Sequence, residues 1–139
     1  MCEKMINGVE LISLPKIKDT RGNLSFFENN NQIPFDIKRT YWIYDVPGGE
    51  VRGGHAFKKS HELIVALSGS FNVVLNDGKN QFKYNLNRSY NGLYVPNLIW
   101  RNLENFSTNG LALIVSNIQY CSSDYIKNFE EFKNITIEK

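Results

Sequence analysis

The residues best suited to chemistry in this 139-residue chain stand together in one run, RGGHAFKKSHE, from Arg52 to Glu62. Histidine titrates near neutrality, at about 6.5 when unperturbed, so it is the side chain best matched to taking and returning a proton. The chain holds two, His55 and His61. Phe57 follows His55 by two positions, and on a strand residues two apart share a face. A second imidazole there would make a pair facing one cavity; a phenyl ring takes its place. What remains is one imidazole between the cations Arg52 and Lys58, with the Glu62 carboxylate close in sequence. That set favours proton transfer over metal chemistry, because zinc sites draw on three or four protein ligands.

Something must hold these residues in place, and the rest of the chain reads as strands. Turn signals recur at short intervals: DTRGN (Asp19–Asn23), VPGGE (Val46–Glu50), SGS (Ser68–Ser70), NDGKN (Asn76–Asn80) and VPN (Val95–Asn97). The runs between them are short and rich in Val, Ile, Tyr, Phe and Leu, which predicts an all-β sandwich or barrel. FNVVLNDGKNQFKYNL reads as a hairpin, with Phe71, Val73 and Leu75 on one face and Asp77-Gly78 in the turn. One segment, SSDYIKNFEEF, reads as a helix: Ser122 or Ser123 can cap it, and Tyr125, Phe129 and Phe132 fall on one face as core packing. No repeat, linker or low-complexity tract divides the chain, so residues 1–139 are expected to form one domain.

Composition narrows the partners. Hydrophobic residues make up 42% and aromatics 13%, enough for a folded core and too much for a disordered chain. The net charge of +2 is small and scattered, which argues against nucleic acid. KRTYWIY (Lys38–Tyr44) mixes basic and aromatic residues but reads as a strand with a basic start. The longest apolar runs, LIVAL (Leu63–Leu67) and LALIV (Leu111–Val115), fall far short of the roughly 20 residues that cross a bilayer. MCEKMINGVE has no apolar stretch of the signal-peptide kind. Cys2 and Cys121 have neither paired nor metal-type spacing and read as free thiols. A soluble cytoplasmic protein with no membrane contact is expected.

The spacing now meets a known pattern. Gly49, His55, Glu62 and Gly69 stand as in the first cupin motif, G-x5-H-x-H-x3,4-E-x6-G, with Phe57 in place of the second histidine. Pro96 and Asn105 match the second motif, P-x-G-x2-H-x3-N, where Leu98 replaces the glycine and Arg101 the histidine. The chain thus resembles the cupins, which implies a jelly-roll or antiparallel β-barrel, here with a short C-terminal helix. Arginine cannot ligate a cation and repels it, so no metal is expected at this site.

A narrower resemblance spans nearly the whole chain. From DTRGNLSFFE through IKRTYWIYDV, VRGGHAFKK, ALSGSFNVVLNDG, GLYVPNLIWRNLENFS and SDYIKNFEEF, it is similar to the sugar 3,4-ketoisomerases. These metal-free cupins move the keto group of dTDP-4-keto-6-deoxyglucose from C4 to C3, ahead of transamination to 3-amino sugars for surface polysaccharides. The resemblance implies a dTDP-linked keto-sugar as substrate, no cofactor, and a homodimer. It assigns His55 as the base and Tyr41 as its helper, with an ordinary strand aromatic as the other reading of Tyr41. Arg21 and Arg52 match family arginines and suit diphosphate oxygens, with Lys58 and Arg101 as further candidates. Phe57 is expected to wall the sugar ring. Trp100 is assigned beside the sugar or base, with core packing its default place. His61, in the KKSH turn region, is a weak candidate. Family members usually carry R-G-x-H-A-H-K, and the second histidine missing here is one the family is thought to use in proton transfer. Two other readings follow from that loss: a nucleotide-sugar-binding cupin with impaired catalysis, or an epimerase on a related dTDP-keto-sugar.

Overall fold

The turn-bounded runs become short antiparallel strands in the computed structural model, which describes residue 6 and residues 8–137. In chain order these are β1 (Glu10–Ser13), β2 (Lys16–Ile17), β3 (Leu24–Ser25), β4 (Arg39–Ile43), β5 (Arg52–Phe57), β6 (Glu62–Ser68), β7 (Phe71–Asn76), β8 (Gln81–Leu86), β9 (Asn91–Val95), β10 (Trp100–Glu104), β11 (Leu111–Ser116) and β12 (Tyr125–Ile126), followed by the helix α1 (Phe129–Ile137). One sheet runs β1-β9-β6-β11-β4 and the other β12-β5-β10-β7-β8; β2 and β3 form a small ribbon. The all-β, jelly-roll architecture with a short C-terminal helix is the one expected.

The two large sheets face each other across the main core. Ile64 and Ala66 of β6, Leu93 of β9 and Ile114 of β11 meet Phe71, Val73 and Leu75 of β7 and Leu103 of β10. The period of two then explains a run that periodicity alone leaves open. In LIVAL, Ile64 and Ala66 point inward, while Leu63 and Val65 pack outside against Leu14, Ile33 and Phe35. Both faces of β6 are covered from Leu63 to Ala66, which accounts for the apolar run there, while Leu67 is exposed. The hairpin forms as expected, with Phe71 opposite Leu86 and Asn76 opposite Gln81, so its turn takes in Lys79 and Asn80 as well as Asp77-Gly78. Its turn is closed by the Asp77 side chain, which accepts from the Lys79 and Asn80 amides at 2.8 and 2.7 Å.

The C-terminal segment differs from its expected form. Ser122–Asp124 is a 3₁₀ turn with no side-chain cap, Tyr125 and Ile126 form strand β12 on β5, and the helix begins only at Phe129. The true cap is Asn128, whose side chain accepts from the Glu131 amide at 2.9 Å, so the start signal is Asn-x-x-Glu and not a serine. Upstream, the buried Asp124 carboxylate accepts from the Lys59 amide at 2.7 Å and from the Ser60 hydroxyl at 2.5 Å. These bonds hold the segment extended beside β5, where a helix through Tyr125 cannot form. Phe129 and Phe132 do pack as expected, against Trp100, at 5.2 and 5.7 Å between ring centroids. Cys121 is exposed and free; Cys2 lies outside the described residues.

Candidate active site

A cavity of about 380 Å³ lies between the two sheets, lined from β4, β5, β6, β10, β11 and β12. Its size falls in the range of small-molecule sites. Strand alternation decides which side chains reach it. On β4, Arg39, Tyr41 and Ile43 share the inner face. On β10, Arg101 and Leu103 point in while Trp100 points out. β5 and β10 pair with His55 opposite Arg101, and the register shifts between Arg101 and Asn102. Gly53 makes that bulge possible: its φ is +106°, and a Cβ there would sit 2.8 Å from the Arg101 carbonyl oxygen.

A buried polar network crosses from one sheet to the other. Arg101 on β10 donates to Glu62 on β6 at 2.7 Å, and both residues are 1% exposed. The Tyr41 hydroxyl donates to the other oxygen of Glu62 at 2.5 Å. Burial pushes the Glu62 carboxyl above the usual carboxylate range, and the Arg101 charge and the Tyr41 hydrogen bond oppose it. Tyr41 is driven well above the ordinary phenol value, by burial first and then by the Glu62 charge. It is a neutral phenol with its proton committed to a carboxylate.

His55 stands apart from this network. Its pKa is lowered to about 4, chiefly by burial and then by the Arg101 charge, with a hydrogen bond to the Gly53 backbone pulling the other way. It is therefore neutral at pH 7. Nε2 is buried with no hydrogen-bond partner among the described residues, so the Gly53 contact falls on the other ring nitrogen and Nε2 carries the lone pair. His55, Phe57 and Tyr125 form a cluster of three rings, with centroids 4.9 Å apart for His55–Phe57, 5.1 Å for His55–Tyr125 and 4.7 Å for Phe57–Tyr125. The charged residues lining the cavity are Arg39, Arg52, Arg101 and Glu62. Glu62 balances Arg101, and two cations remain to meet an anion.

The structure thus brings together His55, Tyr41, Arg52 and Arg101, and it does not bring the other assigned residues to the cavity. Phe57 shares the inner face of β5 with His55 but is 1% exposed, behind the rings of His55 and Tyr125 and 5.0 Å from the Arg101 guanidinium carbon. It backs the histidine and does not wall the cavity. Trp100 is the neighbour of Arg101 on one strand and so faces the opposite way, onto α1. Lys58 follows the inward Phe57, is exposed, and uses its amide on the Asp124 carbonyl at 2.9 Å. Arg21 lies in the turn between β2 and β3, its side chain 89% exposed and paired with Asp19 at 2.8 Å. His61 leaves the cavity for Tyr94, with Nδ1 2.7 Å from the Tyr94 hydroxyl. Among the lining residues not assigned from the sequence are Arg39 and Tyr125. Arg39 precedes Tyr41 by two, so it shares that residue's face, a signal that was available. Tyr125 was hidden by the helix reading of its segment. Among the described residues no group of three or more His, Cys, Asp or Glu could hold a metal.

Comparison with known proteins covers nearly the whole chain. The family described as "FdtA: WxcM-like, C-terminal" matches residues 7–137. A TDP-4-oxo-6-deoxy-alpha-D-glucose-3,4-oxoisomerase from Aneurinibacillus thermoaerophilus is 38% identical over 134 residues, covering 94% of this chain and 96% of that protein. The crystal structure of a His-to-Asn variant of the 3,4-ketoisomerase QdtA from Thermoanaerobacterium thermosaccharolyticum, in complex with TDP-4-keto-6-deoxyglucose, superposes with a TM-score of 0.95 at 32% identity, covering 97% of this chain and 98% of that one. The WlaRB TDP-quinovose 3,4-ketoisomerase from Campylobacter jejuni superposes at 0.89 with 40% identity, covering 93% and 99%.

Proposed function

The chain belongs to the FdtA, WxcM-like C-terminal family, and from that premise we propose that it is a 3,4-ketoisomerase that moves the keto group of TDP-4-keto-6-deoxyglucose from C4 to C3. The observation that carries this reading is His55: a neutral imidazole with an unpartnered Nε2, in a cavity left with two unbalanced arginines. The reaction asks for a base at C3 and for cations at a diphosphate, and this cavity offers both.

In this reading the diphosphate is held by Arg52, a guanidinium fork suited to its oxygens. Its negative charge offsets the cations that depress His55 and lifts the imidazole toward the operating pH, where a base works best. His55 takes the C3 proton and returns it to C4. Arg101, fixed by Glu62, sets the edge of the sugar site, and Tyr41, its own proton given to Glu62, shapes the wall. The work is done in the cytoplasm, by a homodimer of single-domain subunits. Light scattering at micromolar concentration tests the dimer, and a monomer mass refutes it.

The test of the reaction is incubation with TDP-4-keto-6-deoxyglucose in deuterated water, followed by NMR. The carbonyl signal is expected to move from C4 to C3. Exchange at C3 without migration would replace this reading with an epimerase, and binding without exchange would replace it with a ligand-binding cupin.

A further inference from the structure

The keto shift moves two protons. One leaves C3 and arrives at C4. The other leaves the C3 hydroxyl and arrives at the C4 oxygen. His55 accounts for the first, and Phe57 cannot supply the second, because a phenyl ring exchanges no proton. Tyr41 does not supply it either, since its hydroxyl donates to Glu62 at 2.5 Å.

We infer that Tyr125 is the second proton-transfer group, its phenolic O–H carrying the proton between the two sugar oxygens. The inference rests on the reaction proposed above and on four observations. β12 pairs with β5 so that Tyr125 lies directly across from Phe57, the position where a second histidine would stand. The Tyr125 ring touches both His55 and Phe57, at 5.1 and 4.7 Å between centroids. Tyr125 lines the cavity while Phe57 does not. Its hydroxyl accepts a hydrogen bond from the Arg39 guanidinium at 2.9 Å, and in the bonds of the described residues it donates none. A hydroxyl that accepts from a cation keeps its hydrogen to give, and the guanidinium is a counter-charge for the phenoxide formed while that proton is away. Arg39 is itself seated, its guanidinium carbon 4.3 Å from the centre of the Tyr41 ring.

The step balances. As Nε2 of His55 removes the C3 proton, the electron pair of that C–H bond forms C3=C4, and the C4 carbonyl oxygen takes the Tyr125 proton. The intermediate is a neutral enediol beside an imidazolium and a phenoxide. The phenoxide then takes the proton of the C3 oxygen as that oxygen becomes a carbonyl, and the imidazolium returns its proton to C4. Both side chains end as they began, with no oxidant or co-reactant.

The experiment compares the native chain with Tyr125→Phe on TDP-4-keto-6-deoxyglucose in deuterated water. For Tyr125→Phe, carbonyl migration is expected to fall by about 10²–10⁴-fold, with TDP affinity within about threefold of native by calorimetry and exchange at C3 rising relative to migration. Migration near the native rate in Tyr125→Phe overturns the role. Should Tyr125→Phe not fold, Tyr125→His and Tyr125→Gln decide: migration kept by His and lost by Gln supports proton transfer, and the same result from both overturns it. A native chain that moves no carbonyl refutes the reaction itself, and this role with it.

Discussion

At the scale of single residues, alternation along a strand sorts the site. His55, Arg52, Arg101 and Tyr41 could be named from motif and resemblance and do line the cavity. Trp100 could not join them, because a residue adjacent to the inward Arg101 must face out; that argument needed only the sequence and the strand assignment. Arg39 was legible by the same rule, two positions before Tyr41. What no local rule shows is the commitment of a side chain to a partner 21 positions away, as with the Tyr41 proton given to Glu62. Replacing His55 by Asn is expected to lower turnover by about 10²–10⁴-fold while TDP binding stays near native, measured by NMR assay and calorimetry. Stability should report His55 as well. Its folded pKa, about 4, lies below the unfolded value near 6.5. Above 6.5 both states are neutral and nothing is lost. As pH falls from about 6.5 toward 4, the unfolded chain gains a proton that the folded one refuses, so the native protein loses stability relative to His55→Asn across that window. Urea melts of the pair at stepped pH check the sign, and a constant difference would contradict the depressed pKa.

At the scale of elements, the strands were legible because each is bounded by turn chemistry and patterned with period two. The C-terminal segment was not, because Tyr125, Phe129 and Phe132 have helical spacing whether or not the first of them is helical. The buried Asp124 carboxylate, satisfied by Lys59 and Ser60 from across the fold, overrides local propensity there. Leu98 is a related case. It stands where the second motif has glycine and adopts glycine's conformation, with φ of +60°. Its amide bonds the Phe57 carbonyl at 2.8 Å and its side chain packs beside Trp100 and Phe132, which together hold the strained backbone. A glycine that resists exchange at the site is Gly53. Gly53→Ala sets a methyl 2.8 Å from the Arg101 carbonyl oxygen in a left-handed backbone. It is expected to cost about 1–3 kcal/mol and to lower Tm by several degrees in scanning calorimetry. It should also reduce activity beyond what stability explains, since Gly53 sets the pairing of His55 with Arg101.

At the scale of the molecule, the cavity exists because two sheets are held apart at one place by polar groups and closed elsewhere by an apolar core. Glu62 belongs to one sheet and Arg101 to the other, so their bond ties the halves together. Glu62→Gln leaves a buried guanidinium without its counter-charge, and removing one partner of such a pair costs about 3–5 kcal/mol. Urea denaturation is expected to show a lower midpoint with an unchanged slope. With its main core shared between the two large sheets, the native chain should unfold in a single transition, with tryptophan fluorescence and far-ultraviolet circular dichroism superimposed. Two separated transitions would divide it.

The same pair sets how this site can change over generations. A lineage that alters Glu62 or Arg101 alone passes through a chain with a naked charge in its core, and selection for folding removes it before any new substrate can be tried. The two must change together. Trp42 and Val51 also line the cavity, yet they are 58% and 52% exposed, and substitution there costs little. New substrate preferences should therefore arise from the rim inward. A saturation library scored for soluble expression is expected to tolerate most residues at 42 and 51, almost none at 62 and 101 singly, and to recover apolar replacements there only as doubles.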